Sequence, residues 1–138
     1  MELEKQVVYY ILKRKNDIHP FRLSRLLLLF EIEYSRRYGD KPLNFVYRLQ
    51  PAAFYIEDFG SFLDDLEGVE KVKVTDEKGI PVRSYIHLKM PVSVQLPDDI
   101  RSLIDRIIEE TDSMDDQELN RMVVNSEAYK ELYEMFGD

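Results

Sequence analysis

Apolar residues recur along most of the chain with a helical period. Leu3, Val7, Val8, Ile11 and Leu12 fall three and four residues apart, which predicts a helix over residues 2–15. Lys13, Arg14 and Lys15 occupy its last turn, where cations suit the helix dipole. Asn16-Asp17 breaks the pattern. A second helix is predicted from Pro20, a residue suited to a first helical turn, to about Tyr38, with Gly39 as its left-handed cap. Its middle, Leu26 to Phe30, is apolar on every side, so this helix should be surrounded by protein. The turn Gly39-Asp40-Lys41-Pro42 and a short extended stretch at 43–50 follow. A third helix is expected from Pro51 to about Leu66, with Phe54, Tyr55, Phe59, Phe62, Leu63 and Leu66 as its apolar stripe. Gly60 should weaken it by about 1 kcal/mol relative to Ala, dividing or kinking it there.

The period then drops to two. Val69 to Thr75 and Val82 to Met90 both alternate, with Asp76-Glu77-Lys78-Gly79 between them, which predicts a β-hairpin. Val82, Ser84, Ile86, Leu88 and Met90 share one face, and Val72 and Val74 are expected to join them inside. Arg83, Tyr85, His87 and Lys89, together with Lys71 and Lys73, would then form a basic outer face. Pro91 ends the hairpin. Pro97-Asp98-Asp99 places anions at the start of a helix carrying Ile100, Leu103, Ile104, Ile107 and Ile108. Ser113 and Asp116 resemble a capping box that opens a helix with Leu119, Met122 and Val123. Ser126 should cap a last helix with Tyr129, Leu132, Tyr133 and Phe136 inward. The expected fold is α+β and mainly helical: three helices, a hairpin, then three helices, in a single domain over 1–138. Three helices followed by a hairpin is also the order of a winged helix.

Charge divides this frame. The net charge is −8, but residues 1–50 carry about +4 and the rest about −12. The acidic part repels polyanions, so a nucleic acid would have to meet a local basic patch. The chain has no Cys and two His, which excludes disulfides and thiolate chemistry and leaves little for a transition-metal site. Its longest apolar run is far short of a membrane span, and Met1-Glu-Leu-Glu lacks the basic start of a signal peptide. A soluble cytoplasmic protein with no membrane association is expected.

Candidate chemistry is sparse. A DNA-reading third helix would present Glu57, Asp58, Asp64 and Asp65 with no Lys or Arg between Pro51 and Leu66, which is unfavourable against phosphate. The hairpin offers Lys71, Lys73, Arg83 and Lys89 to phosphates, with Tyr85 for stacking; ordinary exposed hairpin positions explain the same residues. His87 would need a positioned partner to act as a base, and Glu70 on the facing strand is one neighbour. His19 is expected at a helix start as a cap or surface residue. The pairs Asp64-Asp65, Asp98-Asp99, Glu109-Glu110 and Asp115-Asp116 diverge by about 100° on a helix and do not converge on one ion. No Walker, dinucleotide or Gly-x-Ser-x-Gly pattern occurs, so no enzyme and no cofactor is expected. Tyr34, Arg36, Arg37 and Tyr38 cluster at the end of the second helix, and with Arg48 they have the composition of a protein-binding hot spot.

Ile18 to Tyr55 carries a further pattern. The helix Leu23-Ser24-Arg25-Leu26-Leu27-Leu28 is followed by Tyr38-Gly39-Asp40-Lys41-Pro42-Leu43, then Tyr47 and Gln50-Pro51. This resembles the SocA-like family, also known as Panacea or phage-associated GepA-like domains, whose helix of Leu-x-Lys-Leu-Leu-Tyr type precedes Tyr-Gly-x-Pro-Leu, an aromatic, and Gly-Pro before another helix. Helices from Pro97 through Leu119 match the family's order. Arg25 stands where Lys is usual, Tyr47 where Trp is common and Gln50 where Gly is common. The resemblance implies an antitoxin-like or proteolytic-adaptor-like module that binds another protein (a toxin, a client or an assembly subunit) and performs no catalysis. The alternative is a winged-helix transcriptional regulator that binds DNA through the basic hairpin face.

Overall fold

A computed structural model describes residues 2–137. The fold is α+β, with six helices and two small antiparallel hairpins among the described residues. Helix α1 spans Leu3–Arg14 and α2 spans Pro20–Tyr38. His19 caps α2, its Nδ1 accepting a hydrogen bond from the Phe21 amide at 2.9 Å, and Gly39 ends it at φ 83°. As its composition predicts, α2 is central: Leu23 to Leu28 and Phe30 are buried, and the helix packs against α4, α5 and β4.

The expected third helix is largely replaced. Strands β1 (Tyr47–Leu49) and β2 (Phe54–Ile56) form a hairpin, with Tyr47 opposite Ile56 and Leu49 opposite Phe54. Pro51 lies in its turn, where Gln50 N–H donates to the Ala53 carbonyl at 3.0 Å. Helix α3 is only Phe59–Asp64. Period-two burial explains the difference: Phe54 and Ile56 are buried while Tyr55 between them is 56% exposed, an alternation the aromatic run obscures in the sequence. Asp58, at φ 58°, then turns the chain into α3.

Strands β3 (Val69–Thr75) and β4 (Pro81–Leu88) form the second hairpin. Its register corrects the expected basic face. Lys71 pairs with Ile86 and Lys73 with Ser84, whereas Val72 pairs with Tyr85 and Val74 with Arg83. Directly paired residues share a face. Lys71 and Lys73 therefore lie on the side of Ile86, opposite Arg83, Tyr85 and His87. Each strand alternates as predicted, but strand alternation alone does not determine which faces coincide. Only the base of the ribbon is covered. Ile86 is fully buried, its N–H donating to the Ile18 carbonyl at 2.8 Å. Towards the turn Val74, Ile80 and Val82 are 39%, 56% and 62% exposed, and Met90 is also exposed; Val74, Val82 and Met90 were expected inside.

The remaining helices are α4 (Asp98–Thr111), α5 (Asp116–Val124) and α6 (Glu127–Phe136). Asp115, not Ser113, caps α5, accepting from Glu118 N–H at 2.8 Å. Ser126 caps α6 as expected, its Oγ accepting from Tyr129 N–H at 3.2 Å. In α6 only Tyr129 is fully buried, and Phe136, expected inward, is exposed. Elsewhere one hydrophobic cluster draws on all six helices and both hairpins. No described helix is long and apolar enough to cross a membrane.

Candidate functional site

Because α6 buries only Tyr129 fully and packs Leu132 and Tyr133 partly against the core, its last apolar side chains, Met135 and Phe136, stand exposed beside α2 and β1. The result is an open groove of about 1090 Å³ between α2, β1 and α6. Leu28, Ile32 and Leu132 give it an apolar lining, continued by Val46, Met135 and Phe136, which are 51%, 70% and 69% exposed. From α2 come residues 28, 31, 32, 35 and 36, one face of a helix. From α6 come Glu127, Ala128, Glu131, Leu132, Met135 and Phe136.

A polar cluster sits in the α2–β1 wall. Glu31 is 4% exposed. Its Oε1 accepts from the Leu43 N–H at 3.0 Å and from Lys41 Nζ at 3.1 Å. Lys41 also donates to the carbonyls of Leu43 and, at 2.8 Å, Phe45. Glu31 Oε2 and the Tyr47 hydroxyl are buried against each other and have no other hydrogen-bond partner. Burial pushes the Glu31 carboxyl above its ordinary range, against the opposing pull of Tyr47, Lys41 and the Leu43 amide. Burial, reinforced by the Glu31 charge, holds the Tyr47 phenol well above its ordinary value.

The five residues expected to form one protein-binding surface are divided. Arg36 and Arg48 line the groove, each with its charge engaged: Arg36 with Glu33 at 2.8 Å and Arg48 with Glu57 at 2.7 Å. Tyr34 and Tyr38 are about 200° round the helix from Arg36. They continue a ladder from Phe30, with ring centroids 5.8 and 4.6 Å apart, and Tyr38 donates to Asp99 of α4 at 2.6 Å. That bond raises the Tyr38 phenol and lowers the Asp99 carboxyl from their usual values. Arg37 is exposed beside Asp99 rather than in the groove.

The hairpin residues are also scattered. Lys71 pairs with Asp64 at 3.0 Å and donates to Gly60 O at 3.2 Å, tying β3 to α3. Lys89 approaches Glu70 at 3.9 Å. The Arg83 guanidinium lies 5.2 Å over the Tyr85 ring on the other face, and Lys73 is exposed. His87 pairs across the ladder with Glu70, but its Nδ1 meets Asp17 at 2.7 Å. Among the described residues no group of three His, Asp or Glu side chains is gathered as a metal site would require.

Sequence reasoning did not single out Glu31, Ile32, Glu127 or Glu131. One signal was present: Glu31 directly follows the all-apolar run Leu26–Phe30 in a helix expected to be buried, and a charge there demands local partners. No protein-family model, curated protein or solved structure matches this chain.

Proposed function

We propose that the protein is a non-enzymatic interaction module that docks a segment of another protein in the groove between α2, β1 and α6. The observation that carries this reading is the groove itself: an uncovered apolar channel of about 1090 Å³ whose walls end in the exposed side chains of Val46, Met135 and Phe136. Contiguous exposed apolar surface of this kind costs solubility and is characteristic of interaction sites. Arg36 and Arg48, two of the five residues with hot-spot character in the sequence, lie on its rim. An antitoxin-like or adaptor-like role, implied by the SocA-like pattern in the sequence, is consistent with such a groove and requires no catalytic group.

The test is capture of the partner from the protein's own cells by the tagged chain and by two variants. Ile32→Arg places a charge in the groove, and Val82→Arg places one on the distant hairpin. Loss of the partner with Ile32→Arg and its retention with Val82→Arg is expected. Equal retention by both would remove the groove from the function. The rim gives a finer expectation: Arg36→Ala, which removes side-chain contact from the groove wall, weakens capture and Arg37→Ala leaves it unchanged.

A further inference from the structure

The chemistry of the occupant follows from which groove charges are already satisfied. On the α2–β1 wall every cation is engaged: Arg36 with Glu33, Arg48 with Glu57, and Lys41 with Glu31 and two carbonyls. On the opposite wall, Glu127 and Glu131 stand one helical turn apart on α6, both exposed and both facing the groove. Neither forms an ion pair among the described residues. A third carboxylate, Glu31, is buried in the lining and already engaged by Lys41, the Leu43 amide and Tyr47. The charges left for an occupant are thus the two α6 carboxylates, Glu127 and Glu131, beside an apolar floor.

The walls of the groove, two helices and a short strand, leave room for a further helix between them. A helix of about 10 Å diameter and 15 Å length, which is roughly ten residues, occupies roughly 1200 Å³. The groove, about 1090 Å³ and open to solvent, has room for such a segment to lie partly inserted, and α6, one of its walls, is itself ten residues long. An amphipathic helix laid between α2 and α6 would seat its apolar stripe on Leu28, Ile32 and Leu132. We infer that the groove takes an amphipathic helix of a partner protein that carries Lys or Arg along the flank facing α6, opposite Glu127 and Glu131. This rests on the groove being the docking site. The net charge of −8 would draw such a cationic segment in. A second copy of this chain fits poorly, because its own α6 would bring two further carboxylates against Glu127 and Glu131.

The probe is a labelled fourteen-residue amphipathic peptide with a Leu stripe and Lys on one flank, with a control carrying Glu in place of Lys. Binding to the full chain is followed by fluorescence anisotropy. The Lys peptide is expected to bind and the Glu peptide to bind more weakly. Reversing both groove acids, Glu127→Lys with Glu131→Lys, should weaken the Lys peptide about tenfold and strengthen the Glu peptide. Both sites are exposed on α6, so this variant should fold, and circular dichroism would check it. Ile32→Arg should abolish binding of both peptides. If both peptides bind equally and charge reversal changes nothing while Ile32→Arg still abolishes binding, the basic occupant is refuted and the docking groove stands. If Ile32→Arg leaves binding intact, or neither peptide binds, both ideas fail. A dimer in sedimentation that dissociates on Ile32→Arg would make a second copy the occupant and overturn the inference.

Discussion

Arg25 places a guanidinium between two phenyl rings inside the core. It is 2% exposed, with its central carbon 3.7 Å from the Phe21 centroid and 4.1 Å from that of Phe54. No carboxylate among the described residues forms an ion pair with it. Nε and Nη2 instead donate to Asn120 Oδ1 at 3.0 and 2.9 Å, and Nη1 donates to Ser24 Oγ at 2.9 Å. Burial lowers its pKa to about 10, so it remains charged at neutral pH. Its planar fork both stacks and donates, which a Lys ammonium cannot do together. Arg25→Lys is therefore expected to cost about 2 kcal/mol or more, because the buried charge stays while its donors and stacking are lost. Urea unfolding at unchanged m-value measures this, and a loss below about 0.5 kcal/mol would refute it. Glu31 gives a prediction in pH. Its folded pKa is raised, so the folded state holds the proton more tightly than the unfolded chain. Stability contributed by this group is fully present below the unfolded value of about 4.3 and is lost as pH rises from there through the raised folded value. The midpoint of wild type minus that of Glu31→Gln should therefore fall with rising pH across that window. A flat difference would mean that burial does not perturb the carboxyl.

Local signals between residues identify most elements but not the one on which β1 depends. The hairpin β1–β2 contains two three-residue strands, and its turn is held from outside by the C-terminal helices. The Tyr129 hydroxyl lies 2.6 Å from the Gln50 carbonyl oxygen and 3.2 Å from the Ala53 carbonyl oxygen and accepts from the Gln50 N–H at 3.2 Å, and Asn120 Nδ2 donates to the Ala52 carbonyl at 2.9 Å. Tyr129→Phe should cost about 1–2 kcal/mol by leaving this turn unsatisfied. It should also speed hydrogen exchange at the Gln50 amide more than at amides within α4, and uniform acceleration would argue against a local anchor. These contacts explain why the segment departs from the expected helix. Phe54, Tyr55 and Phe59 fit a helical stripe as well as they fit a strand and a helix start, and the partner that decides is about 79 residues away at Tyr129. The same limit applies to the helix caps. Ser113 and Asp115 are both good capping residues, and only the observed bond to Glu118 selects Asp115. Asp115→Ala should therefore cost about 1 kcal/mol and Ser113→Ala almost nothing in thermal unfolding. By contrast, α1, α2 and α4 were legible because their apolar positions repeat over three or more turns, and the caps of α2 and α6 because His19-Pro20, Gly39 and Ser126 act within their own neighbourhood. The groove was illegible for the complementary reason: its walls are residues on three elements that no single period connects.

At the scale of the whole molecule, exposed apolar side chains of the described residues cluster most densely in two places of different character. The groove gathers them between helices in a concave channel edged by the Glu127 and Glu131 carboxylates. The far end of the β3–β4 hairpin carries Val74, Ile80 and Val82 on a ribbon with a register irregularity at Val74 and Thr75. Only the base of that ribbon belongs to the core: Ile86 is fully buried, bonded to Ile18 and packed under α1 and α2. Truncating Ile86 to Ala should accordingly cost about 2–4 kcal/mol through the cavity it leaves. Replacing Ile80 and Val82 together with Ser should change stability by no more than about 0.5 kcal/mol, since neither side chain loses buried contacts. If the groove is the functional surface, the Ser pair also leaves partner binding unchanged, while Ala128→Arg, on the groove wall of α6, reduces it without large destabilisation. Urea unfolding and partner titration on the three variants separate these contributions. Binding lost in the Ser pair at unchanged stability would move the functional surface from the groove to the hairpin. Binding lost only in Ala128→Arg would establish that the two apolar surfaces differ in use as well as in shape.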